Sequence, residues 1–234
     1  MALFVYSLLK VLGYTEPMKK FKAIVFDIDG TLTEDTSWTA FTRGMGGSVV
    51  DHMAIYGELK NGNISYEESK RQLLGLWVNT GNHSRDYITE QIAKWPIKSD
   101  VESLIEKLKA DGYMLCLITG SVGIYAKYIA ERLGIENYYA NAELHFDGNG
   151  YLIDFDYDIH QADVKLRQFL EFCERLRLEP QEVVAVGDSE NDIELFKLTG
   201  NGVLVGNSPS EALNDAAWER VRRLSELTKL LGQN

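Results

Sequence analysis

Three short apolar segments alternate with amphipathic helical patterns along this chain of 234 residues. They read "KAIVFD" (residues 22–27), "YMLCLITGS" (113–121) and "EVVAVGDSEND" (182–192). Continuous apolar runs of this length are typical of strands buried on both faces, and buried strands separated by helices form parallel sheets covered by helices on each side. The pattern therefore predicts an α/β protein with a three-layer, Rossmann-like parallel sheet.

Later segments extend this prediction towards the end of the chain. The stretch "NAELHFDGNGYLIDFDYD" (141–158) has two extended runs around Asp-Gly-Asn-Gly, which predicts a β-hairpin. We interpret "IELFKLTG" (193–200) as a helix and "NGVLVG" (201–206) as a short strand. The last stretch, "PSEALNDAAWERVRRLSELTKLL" (209–231), is predicted to be helical.

The segment that follows the first strand is too long for a single crossover. Its helical periods and polar connectors predict a small helical cap inserted into the sheet domain. We expect the cap tryptophans to form its small core rather than a recognition site: Trp38, Trp77 and Trp95. The predicted division is an N-terminal extension at 1–17, an α/β core at 18–34 and 98–234, and a helical cap at 35–97.

The N-terminal sequence "MALFVYSLLKVLGY" has a short apolar core without a basic flank or a cleavage pattern, so it does not resemble a signal peptide. We expect a helical extension that packs on the body of the protein or on a partner. A mobile tail and contact with a membrane are the alternatives. Apolar stretches elsewhere fall short of the roughly 18 residues that a membrane span needs.

The net charge of the chain limits the kinds of molecule that it is expected to bind. The formal net charge is −11, from 35 acidic and 24 basic side chains. This balance disfavours nucleic acid and anionic membranes, which are bound through basic patches, although a local site can still bind a small anion. Cys116 and Cys173 lie far apart without a CxxC pair, and we predict two buried, reduced thiols and an intracellular, cytoplasmic protein.

Each of the three apolar segments ends in a polar cluster: "DIDGT" (27–31), "TGS" (119–121) and "GDSEND" (187–192). In an open α/β sheet, ligands bind at the carboxyl ends of the strands, so three clusters at three strand ends point to one site. A single aspartate at a strand end is commonly a helix cap, but three such clusters argue against that interpretation.

These clusters, in this order and together with Lys165 at the start of a helix, resemble the motifs of the haloacid dehalogenase superfamily. The resemblance covers about residues 20 to 215 and is closest to the branch with a helical cap after the first strand, to which phosphoserine phosphatases belong. Members are mostly Mg²⁺-dependent phosphohydrolases, so the resemblance implies a phosphatase that acts on a small phosphorylated metabolite.

The resemblance also implies roles for individual residues. Asp27 would be the nucleophile that forms an aspartyl-phosphate, and Asp29 would be the general acid and then the general base. Mg²⁺ would be held by the side chains of Asp27 and Asp188 and the backbone carbonyl of Asp29. The remaining roles are metal support by Asp192 and Asn191, phosphate binding by Thr119, Gly120 and Lys165, and shaping of the turn by Gly30 and Thr31.

Substrate selection is where the likeness to phosphoserine phosphatases weakens. Thr36 stands where those enzymes carry a Glu for the serine ammonium, and Leu73 where they carry an Arg for the carboxylate. Because a buried charge without its partner is costly, we do not expect phosphoserine to be the preferred substrate. The weaker candidates for substrate selection are Glu34, Asp35, Thr36, Tyr66 and Arg71.

Several alternatives remain open at this point. Phosphoserine phosphatase proper and a phosphotransferase or mutase use the same chemistry. A phospho-receiver domain uses a similar acidic site, and a non-catalytic binding domain could share the fold. A homodimer is possible. The histidines show no spacing typical of metal ligands and are interpreted as surface or structural residues: His52, His83, His145 and His160.

Overall fold

The computed structural model describes residues 21–232 of the chain. The predicted N-terminal extension, residues 1–17, lies outside the described residues. Within the described range, no helix combines the length and the apolar character that crossing a membrane requires.

A seven-stranded sheet in the order β4-β3-β2-β1-β5-β6-β7 forms the centre of the molecule. Neighbouring strands are parallel except for β3 and β4, which form the predicted hairpin. This confirms the predicted α/β fold class. The strands are β1 Ala23–Phe26, β2 Met114–Val122, β3 Asn137–Phe146, β4 Leu152–Tyr157, β5 Val183–Gly187, β6 Gly202–Val205 and β7 Glu219–Val221.

Helices cover both faces of this sheet. In β1 the side chains alternate, so that Ile24 and Phe26 join the apolar cluster on one face while Ala23 and Val25 join the cluster on the other. The helices are α1 Ser37–Gly44, α2 Val49–Lys60, α3 Tyr66–Val78, α4 Arg85–Ile92, α5 Val101–Ala110, α6 Gly123–Leu133, α7 Gln161–Leu176, α8 Ile193–Thr199, α9 Glu211–Ala216 and α10 Leu227–Gly232.

Helices α1 to α4 follow β1 directly and pack around Trp77 of α3, which is fully buried. The Trp77 ring lies 4.8 Å from Phe41, 5.2 Å from Phe155 and 6.1 Å from Trp38, measured between ring centroids. Its indole N–H donates to Thr42 Oγ1 over 2.8 Å, which satisfies the polar atom of an otherwise apolar side chain. An aromatic cluster therefore stabilises this helical insert.

The chain enters and leaves the insert at one place. The backbone N–H of Lys98 donates to the carbonyl of Leu32 over 2.9 Å, and the Lys98 ammonium donates to the carbonyl of Gly30 over 2.6 Å. Lys98, where the chain returns to the sheet domain, thus binds two backbone carbonyls of the segment by which the chain leaves it. We refer to residues 30–33 and 98 as the neck.

The prediction for the C-terminal stretch is wrong. Instead of a continuous helix, residues 209–231 form α9, the edge strand β7, a 3₁₀ turn at Leu224–Glu226 and most of α10. In β7, Val221 is buried, whereas Glu219 and Arg220 are exposed at the edge of the sheet. A three-residue edge strand with two charged side chains carries almost no strand signal, because pairing with β6 depends on backbone groups.

One smaller prediction is confirmed. Cys116 and Cys173 are buried free thiols. The three cap tryptophans contribute to the apolar cluster, with Trp77 buried and Trp38 and Trp95 packed against it.

The position of Trp77 yields a stability prediction. Trp77→Ala is expected to lower the free energy of unfolding by about 3–5 kcal/mol, because a large buried ring is replaced by a cavity. Urea denaturation followed by circular dichroism measures the change. The matched control is Tyr138→Ala on β3, where the side chain is 39% exposed and a change within about 0.5 kcal/mol is expected. A loss below about 1 kcal/mol for Trp77→Ala would contradict the packing described.

Candidate active site

The loops that follow β1, β2 and β5 bring polar side chains together at the carboxyl edge of the sheet. The backbone N–H of Asp27 donates to the carbonyl of Val186 over 2.9 Å, so the pairing of β1 with β5 continues to the aspartate. Ile28 is fully buried and anchors the chain between Asp27 and Asp29. The local sequence "FDID" thus presents two carboxylates from a fixed backbone.

A buried lysine pairs with two carboxylates. The ammonium of Lys165, on α7, lies 3.1 Å from Asp27 Oδ1 and 2.7 Å from Asp192 Oδ1, and the Lys165 side chain is 1% exposed. Burial by itself would lower the pKa of Lys165, but Asp192 and Asp27 outweigh it and raise the pKa. Burial raises the pKa of Asp27 to about 8, against the opposing attraction of Lys165.

The carboxylates of Asp27, Asp188 and Asp192 offer oxygen atoms that all lie within 4.8 Å of one another. Asp192 is already engaged, because its Oδ1 accepts from Lys165 and its Oδ2 accepts from the backbone N–H groups of Asp188 and Ser189. Asp27 and Asp188 therefore have the greater capacity to bind a cation. Oxygen donors of this kind fit a hard divalent ion such as Mg²⁺.

The turn after Asp29 requires glycine. Gly30 has φ +74°, and a Cβ atom at this position would lie 2.1 Å from Asp188 Oδ2. The next residue, Thr31, donates from its hydroxyl to Asp188 Oδ1 over 3.1 Å. Gly30 and Thr31 therefore place the carboxylate of Asp188 against the loop that carries Asp27 and Asp29.

The carboxylate of Asp29 is held by the first residue of the insert. Asp29 Oδ2 accepts from the backbone N–H of Ser37 over 2.9 Å and from the Ser37 hydroxyl over 2.5 Å. Burial raises the pKa of Asp29 to about 6, and the two hydrogen bonds from Ser37 oppose this rise. The Ser37 hydroxyl also contacts the buried hydroxyl of Ser121. Asp29 is therefore tied both to α1 and to the loop after Thr119.

The predicted phosphate-binding residues lie at the end of β2. Thr119 is fully buried, and its hydroxyl accepts from the backbone N–H of Ser121 over 3.2 Å. A Cβ atom on Gly120 would lie 2.5 Å from Gln161 Oε1, so only glycine fits there without displacement. The carbonyl of Gly120 accepts from the indole N–H of Trp38 over 3.2 Å. The insert thus contacts this loop directly.

A chain of side-chain amides extends from Lys165 to the hairpin. Lys165 donates to Asn191 Oδ1 over 2.9 Å, and Asn191 Nδ2 donates to Gln161 Oε1 over 3.2 Å. Gln161 Nε2 in turn donates to the hydroxyl of Tyr157. The structure therefore brings together eight residues singled out in the sequence: Asp27, Asp29, Thr119, Gly120, Lys165, Asp188, Asn191 and Asp192.

The candidates for substrate selection are more dispersed. Glu34, Asp35 and Thr36 are exposed on the connection to α1. Glu34 lines a polar cavity of about 610 Å³ that also includes Asp188 and Lys98. Asp35 pairs with Arg43 over 3.2 Å, in an ion pair of which each side chain is 60% exposed.

The two candidates on α3 occupy different surroundings. Tyr66 is half-buried near the backbone of Tyr157 and the ammonium of Lys70. Arg71 pairs with Glu68 and lines a surface groove with Asp147. The structure thus associates Tyr66, but not Arg71, with the residues that surround Lys165.

Sequence reasoning missed three residues that contact the site: Ser37, Ser121 and Gln161. Ser37 and Gln161 lie outside the recognised motifs, whereas Ser121 ends the "TGS" cluster but had no role of its own, and each contact depends on how α1, the β2 loop and α7 meet. A signal was also available for Ser37, since a serine that begins a helix soon after two aspartates presents N–H and O–H donors towards them. Trp38 was interpreted as a core residue only, although it also donates to Gly120.

Comparisons with known proteins agree with this geometry. A family model described as haloacid dehalogenase-like hydrolase matches residues 21–200. The phosphoserine phosphatase of Albidiferax ferrireducens is 27% identical over 200 residues, which is 82% of each chain. The phosphoglycolate phosphatase of Archaeoglobus fulgidus is 31% identical over 214 residues, which is 82% of this chain and 86% of the relative.

The fold is also similar to solved structures. A substrate-bound phosphoserine phosphatase complex superposes with a TM-score of 0.70 at 23% sequence identity, covering 91% of this chain and 99% of the other. At this identity the similarity concerns the fold alone.

The buried carboxylates lead to a prediction of pH dependence. The pKa of Asp27 is about 8 in the folded protein, above the ordinary value of 3.8 that applies after unfolding. The folded protein therefore holds a proton that the unfolded chain releases. This stabilisation is complete below about pH 4 and is lost as the pH rises through about 8.

In a chelator, the free energy of unfolding of the wild type, measured relative to that of Asp27→Asn, is expected to fall by roughly 3–4 kcal/mol between about pH 5 and about pH 8. Urea denaturation of both proteins across this range measures the difference, in which contributions from other groups such as His52 cancel. A difference that stays constant or rises with pH would show that Asp27 is not protonated in the metal-free folded state.

Proposed function

The chain belongs to the haloacid dehalogenase-like hydrolase family, and from that premise we propose that it hydrolyses a small phosphomonoester through a covalent aspartyl-phosphate on Asp27. The observation that carries the proposal is the buried carboxylate of Asp27, which lies 3.1 Å from the Lys165 ammonium, with the carboxylate of Asp29 held nearby by Ser37. The protein is thus a phosphoric monoester hydrolase.

In the first step, an oxygen of the ionised Asp27 carboxylate attacks phosphorus, and the bond between phosphorus and the ester oxygen breaks. The proton that neutralises the leaving alkoxide comes from Asp29, whose pKa of about 6 allows it to hold a proton near neutral pH. Lys165 stabilises negative charge on the carboxylate of Asp27 and on the phosphoryl oxygens.

In the second step, water attacks the phosphorus of the aspartyl-phosphate and gives its proton to the Asp29 carboxylate. The acyl-phosphate bond breaks, and inorganic phosphate and the Asp27 carboxylate are released. The two carboxylates have different surroundings, because Lys165 attracts the Asp27 carboxylate directly, whereas burial raises the pKa of Asp29 against the two hydrogen bonds from Ser37.

The donor atoms of this site fit Mg²⁺, for which Asp27 and Asp188 would be carboxylate ligands and the backbone carbonyl of Asp29 would be a third ligand. A bound Mg²⁺ supplies positive charge that favours ionised Asp27 and offsets the charge of the phosphate. Asp192 and Asn191 hold Lys165 in place through the hydrogen bonds described above. Thr119 and Gly120 contribute hydroxyl and backbone N–H donors to the phosphate.

The substrate is a small phosphorylated metabolite, but phosphoserine is not supported by the residues of the insert. Thr36 is exposed and hydrogen-bonded to Thr39, and Leu73 packs on the apolar cluster, so neither recognises a charged group. The names of the relatives also differ, since one acts on phosphoserine and another on phosphoglycolate.

Two alternatives share part of this chemistry. A phosphotransferase would replace water by another hydroxyl in the second step, and analysis of the products with an added acceptor alcohol separates the two reactions. A phospho-receiver domain is disfavoured because Asp29 lies two residues from Asp27 in a buried, hydrogen-bonded position that speeds dephosphorylation.

Asp27→Asn is expected to abolish turnover, because an amide is not a competent nucleophile. Release of phosphate from a panel of phosphomonoesters, with Mg²⁺ and with a chelator, measures the loss. Asp163→Asn, an exposed aspartate on α7, is the matched control and should retain wild-type rates. Phosphate release without a divalent cation, or near-full activity of Asp27→Asn, would contradict the proposed mechanism.

Asp29→Asn is expected to lower kcat by about 10²–10⁴-fold for alkyl phosphates, which have poor leaving groups. With p-nitrophenyl phosphate, whose leaving group needs no proton, the variant should release about one equivalent of nitrophenolate in a burst and then turn over slowly. Rapid-mixing absorbance measures the burst. The role assigned to Asp29 would be contradicted if Asp29→Asn slowed the formation and the hydrolysis of the aspartyl-phosphate equally, with alkyl phosphates and with p-nitrophenyl phosphate alike.

A further inference from the structure

The rings of Trp38 and Tyr157 pack together beside the loop at Gly120, and Tyr66 lies near the backbone of Tyr157. The Trp38 and Tyr157 ring centroids are 5.3 Å apart in an edge-to-face arrangement. We call Trp38, Tyr66 and Tyr157 the aromatic wall. From the sequence alone, Trp38 is predicted to be a core residue and Tyr66 a weaker candidate for substrate selection.

A bound phosphomonoester has to contact both Asp29 and the loop at Gly120, and the aromatic wall lies beside these two groups. The leaving oxygen has to lie within hydrogen-bond reach of Asp29, and the phosphoryl group next to Gly120. Asp29 is held by Ser37, and the residue after Ser37 is Trp38, whose indole N–H donates to the carbonyl of Gly120. A leaving group bound between Asp29 and Gly120 would therefore lie next to Trp38.

Tyr157 is fixed by the same site. Its hydroxyl accepts from Gln161, which contacts the Cα position of Gly120 and accepts from Asn191, the partner of Lys165. The ring of Tyr157 is thus oriented through hydrogen bonds that begin at Lys165. An incidental surface aromatic residue would have no such connection.

The charges around the wall do not match those of an amino acid. Lys70, the cation beside Tyr66, lies 2.9 Å from Asp154 Oδ1 and 3.5 Å from Asp156 Oδ1, so its charge is already compensated. A carboxylate on the leaving group would meet these aspartates, with which the Lys70 ammonium is already paired.

We infer that the aromatic wall determines the substrate class of this enzyme, and that it selects phosphate esters of uncharged alcohols with an apolar or aromatic body. This inference rests on the proposed function. Ring-to-ring contact and the removal of apolar surface from water provide the attraction, and the absence of a carboxylate on the ester avoids the repulsion.

The test compares steady-state phosphate release with Mg²⁺ from benzyl phosphate, methyl phosphate, phosphoethanolamine and phosphoserine. We expect kcat/KM for benzyl phosphate to exceed the value for phosphoserine at least about 10-fold. A higher kcat/KM for phosphoserine or phosphoethanolamine than for benzyl phosphate overturns the inference and leaves the phosphatase proposal intact. Failure to release phosphate from any ester overturns the proposed function itself.

Substitutions at Tyr157 test whether its ring causes the preference for benzyl phosphate. Tyr157→Leu, which removes the ring, should lower the ratio of kcat/KM for benzyl phosphate to that for methyl phosphate about 3- to 10-fold, mainly through KM. Tyr157→Phe keeps the ring and should restore most of the ratio. Tyr138→Leu, on the exposed surface of β3, is the matched control. An equal loss on both esters in Tyr157→Leu would reduce Tyr157 to a structural residue and overturn the inference.

Discussion

The pairing of Lys165 with Asp27 and Asp192 is the interaction on which the site depends. Two carboxylates and one ammonium are removed from water, and each would be costly alone because desolvation of a single ion exceeds several kcal/mol. Together they hold β1, α7 and the turn before α8 in one arrangement. The group retains an excess of negative charge, since Asp188 adds another carboxylate nearby, and this excess explains why a divalent cation is compatible with the site.

Residue patterns predicted the sheet and the acidic centre because both follow from local rules. Apolar runs identify buried strands, and the ends of parallel strands meet at one edge, so Asp27, Thr119 and Asp188 had to be neighbours. The contacts of Ser37, Gln161 and Lys98 follow no such rule. They arise where an element of the insert, α7 or the returning chain meets the sheet, and a single sequence does not encode those angles. The strand β7 was missed for a related reason, since its register comes from β6.

The insert contributes to the chemistry as well as to the shape of the site. Ser37 holds the carboxylate of Asp29, and the adjacent Trp38 holds the carbonyl of Gly120, so α1 contacts the proposed proton donor and the proposed phosphate loop through consecutive residues. Any change in the angle of α1 therefore alters both contacts at once. Under the proposed mechanism, selection of the leaving group and delivery of its proton are coupled through one turn of helix.

The neck has a consequence for how such proteins diversify. Because Leu32 and Lys98 are joined by a hydrogen bond between backbone atoms, the chain between them leaves the sheet domain and returns to it at a single point. The register of the strands does not depend on what lies between those residues. Recombination could exchange the intervening segment for a shorter loop or for another small domain, and the backbone of Asp27 and Asp29 would keep its position. The contact between Ser37 and the Asp29 carboxylate would be lost, so a new insert has to supply an equivalent hydrogen-bond donor.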